Sequence, residues 1–374
     1  MIDRGQGDEY VYRFLGTIHF LQRNPEAALQ YWNRADEPRT GAVHAENLPL
    51  SEPLKSRTLR VSPGAILRLE GWETTIRRIE AATGTEPTAE LTPLESGDYA
   101  ARFSAIRNSG WPAAAGALKG LPYQALLPVW RNIGESGWHV GGLLRWDAQK
   151  RRASAWSEGP LQSSAKWRWT LGSDFRRETW NLGDPADFRL ETARLGGEIR
   201  AIESGRFEWG VGLHLRRRDF GNAPGFESGT SVVQQVIARY RLLDLPQHRL
   251  RMNVLGTSEA GRWLRQDENL YGRFRGDVRW EWYPQPAGER YVVRWRWSAG
   301  RIAGSAPLDE LFILGVERDT DLWLRAHPAT YTGRKGSGAI GTGYTLFNWE
   351  LSRQIARAGF VRISAGPFLD TGRG

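Results

Sequence analysis

At 374 residues, with 40% apolar residues and a mean hydropathy of −0.52, the chain has the averages of a soluble protein. No stretch approaches the ~20 consecutive apolar residues of a membrane helix. Those averages leave a spanning β-barrel open, because its strands alternate apolar and polar residues, and 18 Trp, 11 Tyr and 13 Phe would supply its interfacial girdles. The absence of Cys excludes disulfides, thiolate metal sites and cysteine nucleophiles. The net charge of +9 is spread as Arg alternating with Trp, Phe and Val, not gathered into the patch that nucleic acid requires.

In chain order, residues 9–35 are predicted helical, with Tyr10, Phe14, Leu15, Ile18 and Leu21 on one face. Asn24 then caps a second helix that opens with Pro25 and Glu26. Tyr12, Leu15, Gly16, His19, Ala28, Trp32 and Pro38 follow the spacing of one tetratricopeptide repeat, so 1–40 resembles such a hairpin; the alternative is an ordinary helical hairpin. Residues 40–56, with Pro49 and Pro53, read as a linker. The segment 57–110 is predicted to be a small α+β module. It holds a short strand at Leu59 and Val61, a Pro63-Gly64 turn and a helix over 69–82. A hairpin over 88–94 and 98–107 turns at Ser96-Gly97.

From Leu121 the helical period gives way to alternation. In 270–282, Leu270, Phe274, Val278, Trp280 and Trp282 oppose Tyr271, Arg273, Arg275, Asp277, Arg279 and Glu281. The same rhythm marks 207–215 and 291–299, and shorter runs near 138–147, 165–175, 192–202, 231–243, 248–256, 344–352 and 360–370. Each is about 9–13 residues long, as a tilted strand crossing a bilayer needs to be. A soluble sandwich or a soluble barrel would bury the apolar face instead. The charge on the opposite face favours a wet lumen with Trp and Val toward lipid, and Gly210 and Gly212 leave room there for an inward loop. The predicted fold is therefore mostly β: a transmembrane antiparallel barrel over 121–374, preceded by the two small modules.

The last third carries three motifs. Leu324-Arg325-Ala326-His327 lies within a long connection, 303–338; Asn348-Trp349-Glu350-Leu351 follows it; and Phe368-Leu369-Asp370-Thr371-Gly372 has an aromatic-x-Asp-x-Gly pattern. These resemble the outer-membrane barrel superfamily of assembly factors and two-partner secretion transporters, whose barrels follow periplasmic POTRA modules. The first stands where that superfamily has an inward loop with a hydrophobic-Arg-Gly-aromatic tip; Arg325 keeps the Arg, while Ala326 and His327 replace the Gly and the aromatic. The resemblance implies that 57–110 is POTRA-like and that about 14 of 16 barrel strands are present. It also implies that Arg325, Glu350 and Asp370 lock loop to barrel. An Arg tip inside a barrel needs such acceptors, since its planar fork engages carboxylates bidentately; otherwise all three are ordinary surface charges. The start MIDRGQ lacks a signal peptide and the chain stops before the superfamily's last strands, so a fragment is expected, truncated at both ends.

No chemistry competes with this reading. The six His (19, 44, 139, 214, 248, 327) never take metal-ligand spacing, and no HExxH or GxSxG occurs. Gly336-x-Gly338-x-x-Gly341 precedes an alternating strand and not a helix, so it is no dinucleotide fingerprint. His214 reads as lumen lining, and the proximity of Asp174 and Glu178 as chance. No catalytic, cofactor or metal residue is predicted. The expectation is a non-enzymatic protein of the bacterial outer membrane with its N-terminal part in the periplasm. Its partners would be unfolded outer-membrane clients, periplasmic or lipoprotein partners and the lipid bilayer, with no nucleic acid. The alternative is an Arg-lined pore for anionic solutes.

Overall fold

The computed structural model describes residues 4–106, 116–118, 120–147, 150–183, 187–221, 223, 225–264, 270–285, 288, 290–317, 320–358 and 361–374. Helix α1 (Arg4–Leu21) pairs with α2 (Pro25–Trp32), whose N-terminus is capped by the Asn24 side chain accepting the Ala27 N–H at 3.1 Å. Gly16 faces the Trp32 ring so closely that a Cβ there would lie 2.2 Å from Cδ1, which fixes the distance between the helices. The predicted apolar stripe does not form this contact. Tyr10, Phe14 and Leu21 are exposed, and it is Phe20 that meets Trp32 and Tyr99.

The next unit differs from its predicted boundaries. Strand β1 (Thr40–His44) and helix α3 (Glu52–Thr58) occupy the segment read as a linker, and Leu59 and Val61 form no strand. The prolines misled because Pro53 sits in the first turn of α3, where its missing N–H costs nothing. Helix α4 (Leu69–Thr83) and strands β2 (Thr88–Pro93) and β3 (Tyr99–Ser104) follow closely as predicted. The three strands order as β1-β3-β2, with β1 parallel to β3, over a core that includes Leu54, Leu67, Trp72, Ile79 and Phe103. The end of the predicted module at 110 lies outside the described residues.

The remaining chain forms one large antiparallel sheet. Its strands are β4 (Ala125–Leu126), β5 (Val129–Ile133), β6 (Trp138–Trp146), β7 (Lys150–Pro160), β8 (Trp167–Trp180), β9 (Phe188–Ile202) and β10 (Phe207–Asp219). They continue with β11 (Gly229–Leu245), β12 (Leu250–Trp263), β13 (Leu270–Trp282) and β14 (Tyr291–Gly304). A long connection, 305–342, then carries the short β15 (Phe312–Leu314), β16 (Thr330–Tyr331), β17 (Arg334–Lys335) and β18 (Ala339–Gly341) before β19 (Gly343–Ala358), β20 (Val361–Ala365) and β21 (Phe368–Arg373). Each long strand pairs with its sequence neighbours, and β14 pairs with β19 across the connection. Two corrections follow. The predicted run 360–370 is two pieces, β20 and β21, lying end to end along β19, as β4 and β5 do along β6. The sixteen pieces therefore make fewer rows across than the fourteen expected, and among the described residues the two edges of the sheet do not pair with each other.

Register turns the alternation into two faces. On β10, Val211, Leu213 and Leu215 are exposed while Glu208, His214 and Arg218 are buried; on β14, Trp297 is 52% exposed beside a fully buried Ser298. Trp280, Trp295 and Trp349 are register partners on three adjacent strands of the outer face, with Trp280 and Trp295 stacked at 5.0 Å, as in an interfacial girdle. No helix among the described residues is long and apolar enough to cross a membrane; the outward apolar belongs to strands. Placing Arg at Leu213, midway along the outer face, is expected to cost about 2–4 kcal/mol in a bilayer, measured as a lower urea midpoint in phospholipid vesicles with the circular dichroism spectrum retained.

The helical modules dock on one end of the sheet, turn by turn. Ser51 N–H donates to the Glu135 carbonyl, Arg57 to that of Gln162 and Asn24 Nδ2 to that of Pro246, each at 2.8 Å. Gly205 N–H donates to the Thr74 hydroxyl at 3.0 Å, and a Cβ on Gly205 would lie 2.3 Å from that of Glu73, so this turn admits no side chain. Arg206 Nε bonds Glu73 at 3.0 Å and Arg77 bonds Glu208 at 2.5 Å. Burial pushes the Glu73 carboxyl above its usual range, with Arg206 acting against the shift.

Candidate functional site: a charge-held connection inside the sheet

The connection 305–342 touches strands from nearly one edge of the sheet to the other, so the sheet curls around it. Glu317 bonds Lys150 of β7 at 3.0 Å, and Lys335 lies 3.6 Å from Glu178 of β8. Lys150 also pairs with Glu178, and both are almost fully buried. Next round the sheet, Asp309 takes Arg218 Nε at 2.6 Å, and Glu310 takes both Arg216 and Arg218 of β10. Arg216 and Arg273 share Glu259 of β12 at 3.2 and 3.4 Å. Asp321 then accepts Arg275 of β13 at 2.6 Å and Arg296 of β14 at 2.7 Å. Arg275 and Arg296 both also pair with the buried Asp277. Acids of the connection thus meet arginines of the wall.

At the far end of the connection the structure brings Arg325, Glu350 and Asp370 together. Arg325 Nε and Nη2 each donate to Asp370 at 2.8 Å, a bidentate fork; Nη1 donates to Glu350 at 2.9 Å, and the Arg325 backbone N–H reaches Asp370 at 2.9 Å. Asn348 Nδ2 bridges Asp370 (2.9 Å) and the Trp323 carbonyl (2.8 Å), and the Phe368 ring lies 4.0 Å from the guanidinium. The hydrogen bonds that Arg325 donates to Asp370 raise the Arg325 pKa above its usual value. β19 and β21 present Glu350 and Asp370 on one face because Glu350 pairs with Phe368 and Asn348 with Asp370 in register.

Sequence reasoning found this trio and missed the other pairs. Asp174 and Glu178, read as a chance pair, both lie inside: Asp174 pairs with Arg152 and Arg176, and Glu178 with the two lysines. The available signal was charge on the inward positions of β10 and β13, matched by five acids in the connection. Gly210 and Gly212 do face inward, but Glu198, Arg200 and His214 of the sheet surround them, not the connection. His214 lines the lumen, 3.1 Å from Gln235. Nor is the interior wholly charged. Away from the modules, Leu308 and Ile313 pack with Trp180, Leu190 and Phe220, while Phe312, Leu314 and Leu322 pack with Ile302 and Leu346.

No family model and no curated protein matches the sequence. Solved structures do. CdiB from Escherichia coli superposes with a TM-score of 0.59 at 16% identity, over 90% of this chain and 66% of that one. CdiB from Acinetobacter baumannii gives 0.54 at 10%, over 92% and 66%. The chain has the fold of the CdiB barrel. At these identities the likeness is one of fold, and the chain spans just under two thirds of each CdiB chain. BamA from Haemophilus ducreyi lacking POTRA domains 1–3 also matches, at a TM-score of 0.49 and 11% identity.

Proposed function

We propose that this chain is the barrel and adjoining modules of a non-enzymatic outer-membrane protein that passes polypeptide across that membrane or inserts it there. The helical modules would lie in the periplasm. The observation that carries the reading is a lumen occupied by a connection whose acids Asp309, Glu310, Glu317 and Asp321 each answer an arginine or lysine of the wall. An open anion pore needs its arginines facing solute; Arg216, Arg218, Arg275 and Arg296 face carboxylates instead. A plug held by separate ion pairs can be exchanged contact by contact for a passing chain, each pair finding water or client in place of its partner. The likeness to CdiB supports translocation.

The unit from Thr40 to Ser104 serves as the POTRA-like receiver. β2 is an outer strand of its sheet, so an extended client segment can add to its edge through main-chain bonds, tolerant of sequence. The helical hairpin, with Tyr10, Phe14 and Leu21 outward, offers a surface for periplasmic or lipoprotein partners in the manner of a tetratricopeptide unit. The test is photo-cross-linking during export from Glu90 on β2 and from Arg194 on β9, in the full-length protein. Client adducts at both positions are expected. Adducts at Glu90 alone would replace translocation by insertion, and adducts at neither would overturn the proposal.

A further inference from the structure

The outer face of the sheet differs at its two ends. Toward the modules it carries tryptophans such as Trp209, Trp280 and Trp295. Away from them the outward residues include exposed arginines: Arg151 on β7, Arg177 on β8, Arg217 on β10, with Arg262, Arg301 and Arg373 further round. Arg151 and Arg177 are direct cross-strand partners, an arrangement that repels unless something negative lies between the two. Glu191 answers Arg177 at 2.7 Å, and the Arg151 guanidinium donates to the Trp146 carbonyl at 2.8 Å. Arg217 stands opposite Ala193 and Thr230, which bring it no charge, and Asp219 lies two residues on. The cluster is cationic in sum.

Below it the surface is apolar and grooved. After Arg151 the next two outward residues of β7 are Ala153 and Ala155, both exposed. They lie between Leu144 of β6 and Phe175 and Leu171 of β8, which stand out on either side. The result is a depression of about 680 Å³ with Ala153 and Ala193 on either side of Phe175, and with Arg151, Arg177 and Arg217 at its head beside Glu191 and Asp219. From this head the strip of Ala153 and Ala155 runs one strand wide along β7 between bulkier neighbours, a shape that suits an acyl chain below an anionic headgroup.

We infer that this groove binds a phosphorylated glycolipid of the outer leaflet, its phosphates on the three arginines and an acyl chain along β7. The leaflet follows from placing the modules in the periplasm, so the inference rests on the function proposed above. Two phosphates are needed because Arg151 and Arg217 are three strands apart, about 14 Å at the usual strand spacing, more than one phosphate spans. Arginine suits the task because its fork engages phosphate oxygens in pairs.

Native mass spectrometry of the full-length protein in detergent, titrated with diphosphorylated lipid A or with phosphatidylglycerol, tests this without any client. Wild type should retain lipid A well above phosphatidylglycerol. The triple variant Arg151→Gln, Arg177→Gln, Arg217→Gln should lose about a hundredfold in lipid A affinity while keeping the heat-dependent gel mobility of the folded barrel. Unchanged lipid A binding by a folded triple variant would overturn the site; equal retention of phosphatidylglycerol by wild type would overturn the assignment to a glycolipid. Failure of the transport reading shows separately, as missing client adducts or as modules cleaved by protease on intact cells.

Discussion

Glu310→Ala is expected to destabilise the barrel by about 3–5 kcal/mol, the usual result of removing one partner from a buried ion cluster. Glu310 is buried and sits among Arg216, Arg218 and Arg273, with Glu259 and Asp309 as the other carboxylates paired with those arginines among the described residues. Three cations would then share two acids in a space closed off from bulk water. Urea unfolding in vesicles, followed by tryptophan fluorescence, reads the loss. Removing a cation as well, in Glu310→Ala with Arg216→Met, should restore part of it, since the two positions are directly coupled. The same single variant should raise planar-bilayer conductance, because the cluster is what ties the connection to β10. A loss below about 1 kcal/mol, the range of screened surface pairs, with unchanged conductance would show that the connection is held by its apolar contacts instead.

The strands were legible where large apolar residues mark one face. Residues 270–282 alternate Leu, Phe, Val and Trp against charge, and β13 has those bounds. β7 was illegible for the reason that makes it interesting: its outward positions are Arg151, Ala153, Ala155, Ser157 and Gly159, so no bulky apolar residue sets the rhythm. β1 was hidden by neighbouring prolines, and its partner β3 lies more than fifty residues on, joined in parallel, which no local pattern announces. The lumen pairs have the same character. Lys150 and Glu317 are 167 residues apart, and each alone is one charge among many. The trio at Arg325 was accessible because alternation oriented Glu350 and Asp370 and a motif resemblance supplied the loop tip. A hydrophobic alternation encodes which way a side chain faces; it carries no information on which inward charge another segment will bring to meet it.

Arg325→Ala should have the second large effect, again about 3–5 kcal/mol, but with a local signature. The Asp370 side chain is covered, though the residue as a whole is half-buried, and with Arg325 gone it keeps the Asn348 amide and the backbone N–H of residue 325, which stays only if the tip stays. Two losses are therefore linked: the carboxylate loses its cation, and the connection loses the anchor that holds its backbone to β21. Proteolysis near residues 323–327 should become fast in the folded barrel. Arg325→Lys separates charge from geometry. A single ammonium cannot make the fork to Asp370 and the bond to Glu350 together, so lysine should recover part of the stability and little of the protease protection. Full protection by lysine would mean that charge alone holds the tip. If alanine leaves both stability and protection unchanged, the trio is no lock, and Phe312, Leu314 and Leu322 hold the connection in place.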